Sequence, residues 1–238
     1  MTETPTLEIT DLEVSYGNIT VLRDINATVG EGDIVSVVGA NGAGKTTLLK
    51  SISGIKDVNE GRVKHNGTDI TNGHPTDIVK RGITYVPERH RVFPKMTVRE
   101  NLVTATVATD GLNHETALNE VFELFPILQE RQQQVAETLS GGQQQMLAIS
   151  QGLVADPEVI MLDEPTLGLA PKIVDRIHET IRSINESGVT VLISDEEIEM
   201  TMDLSDHMYL MRKNTLQYLG KEGEFESTYQ DLVTEALQ

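Results

Sequence analysis

The chain has 238 residues, no cysteine and a formal net charge of -18, from 37 acidic and 19 basic side chains. The lack of cysteine excludes a disulfide framework, a cysteine-ligated zinc site and a thiol nucleophile, and the acidic excess disfavours non-specific binding to nucleic acid or anionic lipid. The apolar runs stop at about five residues, far below the ~20 needed to span a bilayer. Because residues 1–6 are also polar, we expect a cytoplasmic protein without a transmembrane segment.

The acidic residues are spread along the chain instead of being confined to a tail. Two explanations stay open at this stage. The surface is either adapted to a salt-rich cytoplasm, which requires strong hydration, or it is that of an ordinary acidic cytosolic protein.

The N-terminal part of the chain predicts antiparallel strands. Apolar residues at Leu7, Ile9, Leu12 and Val14 alternate partly with polar ones, as in half-buried strands. Tyr16 ends this stretch, where it either packs on the sheet or offers its ring to a ligand. A further strand is predicted over residues 61–67, entering an Asn-Gly turn. We expect His65 in that strand to face solvent.

A glycine-rich segment follows the apolar run Ile34–Val38 and fits the pattern G-x-x-x-x-G-K-S/T. Its residues are Gly39, Ala40, Asn41, Gly42, Ala43, Gly44, Lys45, Thr46 and Thr47. Small residues let backbone N–H groups turn towards phosphate oxygens, and a helix opening near Lys45 adds its positive dipole end. We expect Lys45 to reach the β- and γ-phosphates and Thr46 to offer its hydroxyl to Mg²⁺. The alternative is an ordinary strand-to-helix turn, which the strand context and the Lys-Thr pair disfavour.

The middle of the chain changes from mixed to helical signals. A short helix is predicted at Pro75–Lys80 and a core strand at Ile83–Val86. Beyond these, residues 97–100 form a capping box. Apolar residues then follow the i, i+3, i+4, i+7 rule at Leu118, Val121, Phe122 and Phe125. We therefore expect a helical lobe over residues 88–153, inserted between core segments at 1–87 and 154–222.

A second acidic and apolar motif lies downstream of this lobe. Residues 159–162 are apolar and predict a buried parallel strand, whose tip carries Asp163 and Glu164. Asp163 supplies the carboxylate that Mg²⁺ requires, and Glu164 is free to act as a base. The remaining predicted elements are an amphipathic helix carrying Ile173, Val174, Ile177, Ile181 and Ile184, a strand over residues 189–193 and a packing helix within residues 223–238.

Residues 139–143, with the sequence L-S-G-G-Q, precede the apolar strand predicted over residues 159–162. Alone they are weak evidence, because Ser140 and Gln143 also form a capping box. In order, however, a phosphate loop, L-S-G-G-Q, a helix and an apolar strand ending in Asp-Glu-Pro resemble the ATP-binding cassette (ABC) family over residues 7–219. The resemblance implies an α/β fold: a P-loop NTPase (RecA-like) parallel-sheet core, an N-terminal antiparallel β subdomain and an inserted α-helical subdomain.

The resemblance also implies how a nucleotide is held. An aromatic residue at the position of Tyr16 stacks on adenine in the family. Cassettes work as head-to-tail pairs, in which the signature of one subunit covers the γ-phosphate bound by its partner's loop. On this pattern the signature residues are Ser140, Gly141, Gly142 and Gln143. ATP and Mg²⁺ are the implied ligands.

Further segments resemble the branch of branched-chain amino acid importers, namely residues 85–94, 96–102, 122–126, 144–149 and 167–171. In that branch two different ATPases serve one pair of transmembrane permease subunits, and this chain resembles the second, smaller ATPase. The implied partners are the permease, a second cassette, with a heterodimer favoured over a homodimer, and an extracytoplasmic solute-binding protein. The implied location is the inner face of the cell membrane, reached through the permease.

Two positions depart from the wider family. Glu88 stands where most cassettes have a glutamine that senses Mg²⁺, although the branched-chain branch shares this change, and a carboxylate can still bind Mg²⁺.

Aligning residues 189–211 without gaps places Glu196 where the family has a histidine. An ionised glutamate only accepts hydrogen bonds and is repelled by phosphate and by Glu164. The site is therefore expected to hydrolyse ATP slowly, unless a shifted register leaves a harmless solvated turn.

Two other functions remain possible from the sequence. One is import of another small polar solute, such as urea or a short amide, because the ATPase does not touch the cargo. The other is a soluble cassette ATPase acting as a switch in cofactor assembly, translation or DNA repair. The acidic charge argues against a nucleic-acid partner.

Overall fold

The computed structural model describes residues 5–88, 92–108, 113–225 and 227–228. The strands are β1 (Leu7–Tyr16), β2 (Ile19–Val29), β3 (Ile34–Val38), β4 (Glu60–His65), β5 (Thr68–Asp69), β6 (Ile83–Val86), β7 (Val159–Asp163), β8 (Thr190–Asp195), β9 (His207–Arg212) and β10 (Thr215–Lys221). The helices are α1 (Lys45–Ile52), α2 (Pro75–Lys80), α3 (Val98–Ala105), α4 (His114–Leu124), α5 (Pro126–Glu130), α6 (Gly141–Leu153), α7 (Pro171–Glu186) and α8 (Ile198–Met202). Short 3-10 turns occupy Thr106–Ala108 and Ala136–Thr138.

One sheet has four antiparallel strands in the order β2-β1-β4-β5. The alternation of β1 is only partial because its register shifts between Ile9 and Leu12, where Asp11 adopts a φ of 49°. Such a bulge places the side chains on either side of it out of the two-residue period. The Asn66-Gly67 turn joins β4 to β5, as predicted.

The expected solvent-facing position of His65 is wrong. Its side chain is buried, and its Nε2 lies 3.2 Å from an oxygen of Glu158, in the turn before β7. The sequence of β4 shows only that alternate residues share a face. Packing against the second sheet makes the face of Val63 and His65 the inner one.

The second sheet has six strands in the order β10-β9-β3-β8-β7-β6. All neighbours are parallel except β9 and β10. Since carboxyl ends of parallel strands meet at one edge, the residues that follow β3, β7 and β8 lie together. The strand predicted over residues 189–193 extends instead to Asp195, because its pairing with β3 continues to Val38.

Alternate residues of the six-stranded sheet enter two cores. On one face Val35, Val37 and Met161 pack with α1 and the antiparallel sheet. On the other face Ile160, Leu162 and Ile193 pack with α7 and the helices of residues 98–153. A sheet buried on both faces explains why these strands are mostly apolar instead of alternating.

The helices carry the predicted signals. Both halves of the capping box are formed at Thr97 and Glu100, and again at Ser140 and Gln143. Most of the apolar residues predicted on α4 and α7 lie in the large core, Ile173 packs against it, and Val174 is buried. The division into core and helical lobe stays a prediction, and most of the helix expected within residues 223–238 lies outside the described residues. In the described part of the chain, no helix combines the length and apolar character that a membrane crossing requires.

Candidate nucleotide site

The phosphate loop leaves the buried strand β3 and enters α1. Gly44 caps the helix with a φ of 115°, and a Cβ on it would lie 2.8 Å from Leu22 Cδ2. The left-handed conformation favours glycine there, and a larger residue would also have to displace the end of the Leu22 side chain. Residues 40–42 are exposed at the tip of the loop, and Thr47 is buried beneath it. The loop thus presents its backbone and a helix N-terminus to solvent, as an anion site requires.

Lys45 is buried, with 3% of its surface exposed. Its ammonium donates to the main-chain oxygens of Gly39, at 2.7 Å, and Ala40, at 3.3 Å. It also lies 3.1 Å from a carboxylate oxygen of Glu164. The structure therefore brings together two predicted catalytic residues that stand on different elements.

Asp163 ends β7 and is almost fully buried. Its Oδ1 accepts from the hydroxyls of Thr46, at 3.0 Å, and Ser194, at 2.6 Å. Its Oδ2 accepts from the Tyr85 hydroxyl at 2.8 Å. A hydroxyl and a carboxylate in direct contact are the hard oxygen donors that Mg²⁺ prefers, so the residues present fit the ion.

Ser194 and Tyr85 are site residues that the sequence analysis missed. Each lies at the carboxyl end of a strand that pairs with β7. The available signal was a polar side chain near the end of a predicted core strand. Without knowledge of which strands are neighbours, that signal could not connect either residue to Asp163.

Glu164 is held in an unusual backbone conformation, with a φ of 47°. Its N–H donates to the carbonyl oxygen of Ser194 at 2.9 Å, and the Ser194 hydroxyl oxygen lies 3.2 Å from the same nitrogen. Burial raises the pKa of the Glu164 carboxyl, the Lys45 ammonium opposes that rise, and the nearby charges of Glu196 and Glu88 add to it. The resulting pKa lies above the ordinary value, which favours a group that accepts a proton.

Glu196 follows the last residue of β8, and its charge acts on Glu164 together with that of Glu88. The Glu196 Oε1 atom is buried, and it has no hydrogen-bond partner among the described residues. A buried acceptor of this kind is costly unless a donor reaches it. Glu196 therefore lies close enough to Glu164 to act on it electrostatically, and its correspondence to the family's histidine stays a prediction.

Tyr16 ends β1 with 47% of its surface exposed. The Lys56 ammonium lies 4.9 Å from the centre of its ring. About half of the Tyr16 surface is therefore open to a planar ligand, and stacking on adenine stays a prediction.

The signature residues begin α6. Ser140 and Gly141 are exposed, and Gln143 is partly exposed, whereas Gly142 is buried. A Cβ on Gly142 would collide with Ile173 of α7. The capping interpretation of Ser140 and Gln143 is thus correct as local structure. A contact with phosphate requires the second cassette of a pair, so it stays a prediction.

Comparison with known proteins adds independent information. The family model described as "ABC transporter" matches residues 22–167. The chain is 39% identical to the high-affinity branched-chain amino acid transport ATP-binding protein BraG of Pseudomonas aeruginosa, over 84% of this chain and 86% of that protein. It is 36% identical to the probable branched-chain amino acid transport ATP-binding protein LivF of Archaeoglobus fulgidus, over 92% and 93%.

Solved structures agree with the fold. The chain superimposes on MJ1267, an ATP-binding cassette of an ABC transporter, with a TM-score of 0.89 and 26% identity, over 99% of this chain and 100% of that one. The ADP conformation of MJ1267 gives a TM-score of 0.88, over 98% of both chains.

Proposed function

Because the chain belongs to the ABC transporter family, we propose that it is the ATP-hydrolysing subunit of an importer of branched-chain or related amino acids. The similarity to BraG and LivF along most of the chain supports this cargo class. It favours this reading over a urea or short-amide importer and over a soluble switch.

One observation carries the ATPase assignment. The Lys45 ammonium forms an ion pair with Glu164, and next to this pair the Thr46 hydroxyl donates to Asp163. The loop backbone and Lys45 would bind the phosphates. Thr46 and Asp163, with Glu88 nearby, would hold Mg²⁺, which when bound neutralises charge on the β- and γ-phosphates. ATP phosphates compete with Glu164 for the Lys45 ammonium, since both are anions.

Glu164 is placed to orient water and to accept its proton. Its raised pKa suits a general base better than that of an ordinary surface carboxylate. Lys45 stabilises charge on the transferred phosphoryl group, and Tyr16 stacks on the base. The roles of Glu164 and Lys45 need a fixed mutual geometry, which the ends of β3, β7 and β8 support, whereas Tyr16 would be held by β1 of the other sheet.

The chain would act with a second cassette, transmembrane permease subunits and an extracytoplasmic solute-binding protein. Its signature, from Ser140 to Gln143, would complete the site of the other cassette. Its own site carries Glu196 in place of a hydrogen-bond donor and would hydrolyse ATP slowly. The preferred mechanism is therefore an asymmetric pair, with the chain attached to the inner membrane face through the permease.

The first experiment measures ATP turnover with Mg²⁺ for the chain alone and for the chain reconstituted with its second cassette and permease. A Glu164→Gln variant and the matching change in the second cassette accompany it. The asymmetric mechanism is supported if the chain alone hydrolyses ATP weakly, and if turnover is higher in the complex and depends there on the second cassette's glutamate. If the isolated chain hydrolyses ATP rapidly and this activity depends on Glu164, the asymmetric mechanism is contradicted and the ATPase assignment stands. No turnover in either preparation contradicts the ATPase assignment.

The cargo is tested in proteoliposomes that contain the complex and its solute-binding protein. We expect ATP-dependent uptake of radiolabelled leucine. Uptake of urea without uptake of leucine would reject the amino acid assignment.

A further inference from the structure

The end of β8 joins several segments of the site through one buried side chain. Asp195 is 6% exposed and accepts two hydrogen bonds at its carboxylate. Oδ2 accepts from the Thr166 hydroxyl at 2.9 Å, and Oδ1 accepts from the Glu197 N–H at 3.0 Å. Its main-chain oxygen accepts from the Gly39 N–H at 3.2 Å.

Each partner of Asp195 belongs to a segment that carries a predicted site residue. Thr166 lies two residues after Glu164, Glu197 follows Glu196, and Gly39 begins the phosphate loop. The contact with Glu197 alone is a local turn of the kind that aspartate often makes. The contact with Thr166 spans 29 residues of sequence, and local turn formation does not require it.

The Thr166 contact also completes a two-point attachment of Glu164. On one side of it, the Glu164 N–H donates to Ser194, the neighbour of Asp195 on β8. On the other side, Thr166 donates to Asp195 itself. The left-handed φ of Glu164 is unfavourable for a residue with a side chain, and such a conformation persists only where surrounding contacts fix it.

We propose that Asp195 and Thr166 form a positioning pair, which fixes the backbone of Glu164 and the turn of Glu196 relative to the phosphate loop. The pair does not touch the nucleotide. It acts on the chemical step, because the position of Glu164 sets the approach of water, and a displacement of about 1 Å in such a group costs about 100-fold in rate. ATP binding depends on the loop and Tyr16, so it is expected to change little.

The test compares Thr166→Val, which keeps the shape and removes the donor, with Thr166→Ser, which keeps the hydroxyl. Both are measured in the complex of the chain with its second cassette and permease. So that turnover reports this chain's own site, the second cassette carries a glutamine in place of its catalytic glutamate. We expect Thr166→Val to lower kcat at least about tenfold, with the KM for ATP within about twofold of the original. Thr166→Ser is expected to retain most of the kcat of the original chain.

A double-mutant cycle isolates the contact. Asp195→Ala combined with Thr166→Val should lower kcat no further than Asp195→Ala alone, since each change removes the contact between the two side chains. Equal kcat for the valine and serine variants would overturn the proposal. So would a fall in kcat that is matched by weaker ATP binding and lower thermal stability, because that pattern indicates general structural damage.

The inference rests on the proposed ATPase function, and the two can fail separately. If the original complex hydrolyses ATP at this site and Thr166→Val does so equally well, the positioning pair is rejected and the ATPase stands. If the complex hydrolyses ATP only when the second cassette keeps its glutamate, this chain's own site does no chemistry; the positioning pair is then rejected and the asymmetric mechanism stands. If the complex hydrolyses no ATP even with both cassettes unaltered, the ATPase assignment itself fails.

Discussion

Individual residues of the site are placed by long-range partners more than by their own neighbours in sequence. Asp163 accepts hydroxyl hydrogen bonds from Thr46, Ser194 and Tyr85, which stand on three other elements. Buried carboxylates need such donors, because an unpaired charge would be costly in the interior. The side chains at the edge of the site, Tyr16 and Glu196, have few partners and are the residues on which substitution is most informative.

Tyr16 provides the first prediction at the residue scale. Replacing Tyr16 with leucine should weaken ATP binding by about 1 to 3 kcal/mol, the usual loss when an aromatic stack on a base is removed. Isothermal titration calorimetry of the isolated chain measures this change. Tyr16→Phe keeps the ring and serves as the control. Inorganic triphosphate should bind both variants alike, and a parallel loss of triphosphate affinity would show that Tyr16 shapes the loop instead.

Glu196 provides the second prediction. Glu196→His should raise ATP turnover of the complex several-fold, because a neutral or charged imidazole can donate to phosphate whereas an ionised glutamate cannot. Glu196→Gln removes the charge and is the matched control that separates relief of repulsion from donation. Turnover that stays unchanged in both variants would show that Glu196 does not limit this site.

At the scale of elements, the start of α6 serves both stability and function. Ser140 accepts from the Gln143 N–H, and Gln143 reaches back to the Ser140 N–H at 3.0 Å. The same helix start packs closely on α7, where Gly142 meets Ile173. A motif of this kind therefore cannot be assigned to phosphate binding from its residue types alone.

Substitution of Ser140 separates the two roles. Ser140→Ala removes the cap and should lower the free energy of unfolding by about 1 kcal/mol. Ser140→Asp keeps a good cap at a helix N-terminus, so stability should be retained. In the assembled complex, however, the aspartate should repel phosphate and abolish most of the turnover. Chemical denaturation and ATPase assays distinguish these effects, and full turnover with aspartate would leave Ser140 with a capping role only.

At the scale of the whole molecule, two sheets must keep a fixed relation, because Tyr16 stands on one and the phosphate loop on the other. His65 and Asn66 contribute to that relation through Glu158, with the Asn66 amide 2.9 Å from the glutamate. Burial lowers the pKa of His65, the Glu158 charge opposes this, and the Arg81 charge adds to it. The net pKa lies below the ordinary value, so folding favours the neutral ring.

The stability of the molecule should therefore depend on pH through His65. A lowered pKa in the folded state means that the unfolded chain binds more protons as the pH falls below the ordinary histidine value of about 6.5. The free energy of unfolding is then greatest above that pH and declines as the pH falls towards the folded pKa. Denaturant unfolding at pH 7.5 and pH 5.5 should show a smaller decline for His65→Gln than for the original chain.

Two further histidines define the limits of this test. Burial also lowers the pKa of His178, so part of the decline should persist in His65→Gln. Replacing the exposed His114 with glutamine is the matched control for the loss of a histidine at the surface. An identical pH dependence in the chain with and without His65 would contradict the assignment.

Residue types alone were enough to recognise the motifs that are contiguous along the chain. The phosphate loop, the Asp163-Glu164 pair and both capping boxes depend on residue types at fixed spacing within one turn or one strand end. Local sterics, glycine conformations and helix dipoles act over such short distances, so the pattern carries the structure with it. The strands β3, β7 and β8 were predicted for a different reason. Each contains a short apolar run, and such a run is stable only when it is buried.

Residue types did not reveal which strand ends are neighbours or which face of each strand points inwards; the packing of the two sheets sets both. Strand order placed Ser194 and Tyr85 on Asp163, and it brought Thr166 to Asp195, across 29 residues of sequence. His65 is buried because one sheet packs on the other, and the alternation of residues in β4 could not predict which face would be covered. These outcomes depend on register and strand pairing between distant segments, whose free energy comes from joint burial and is not encoded in any single stretch of the chain.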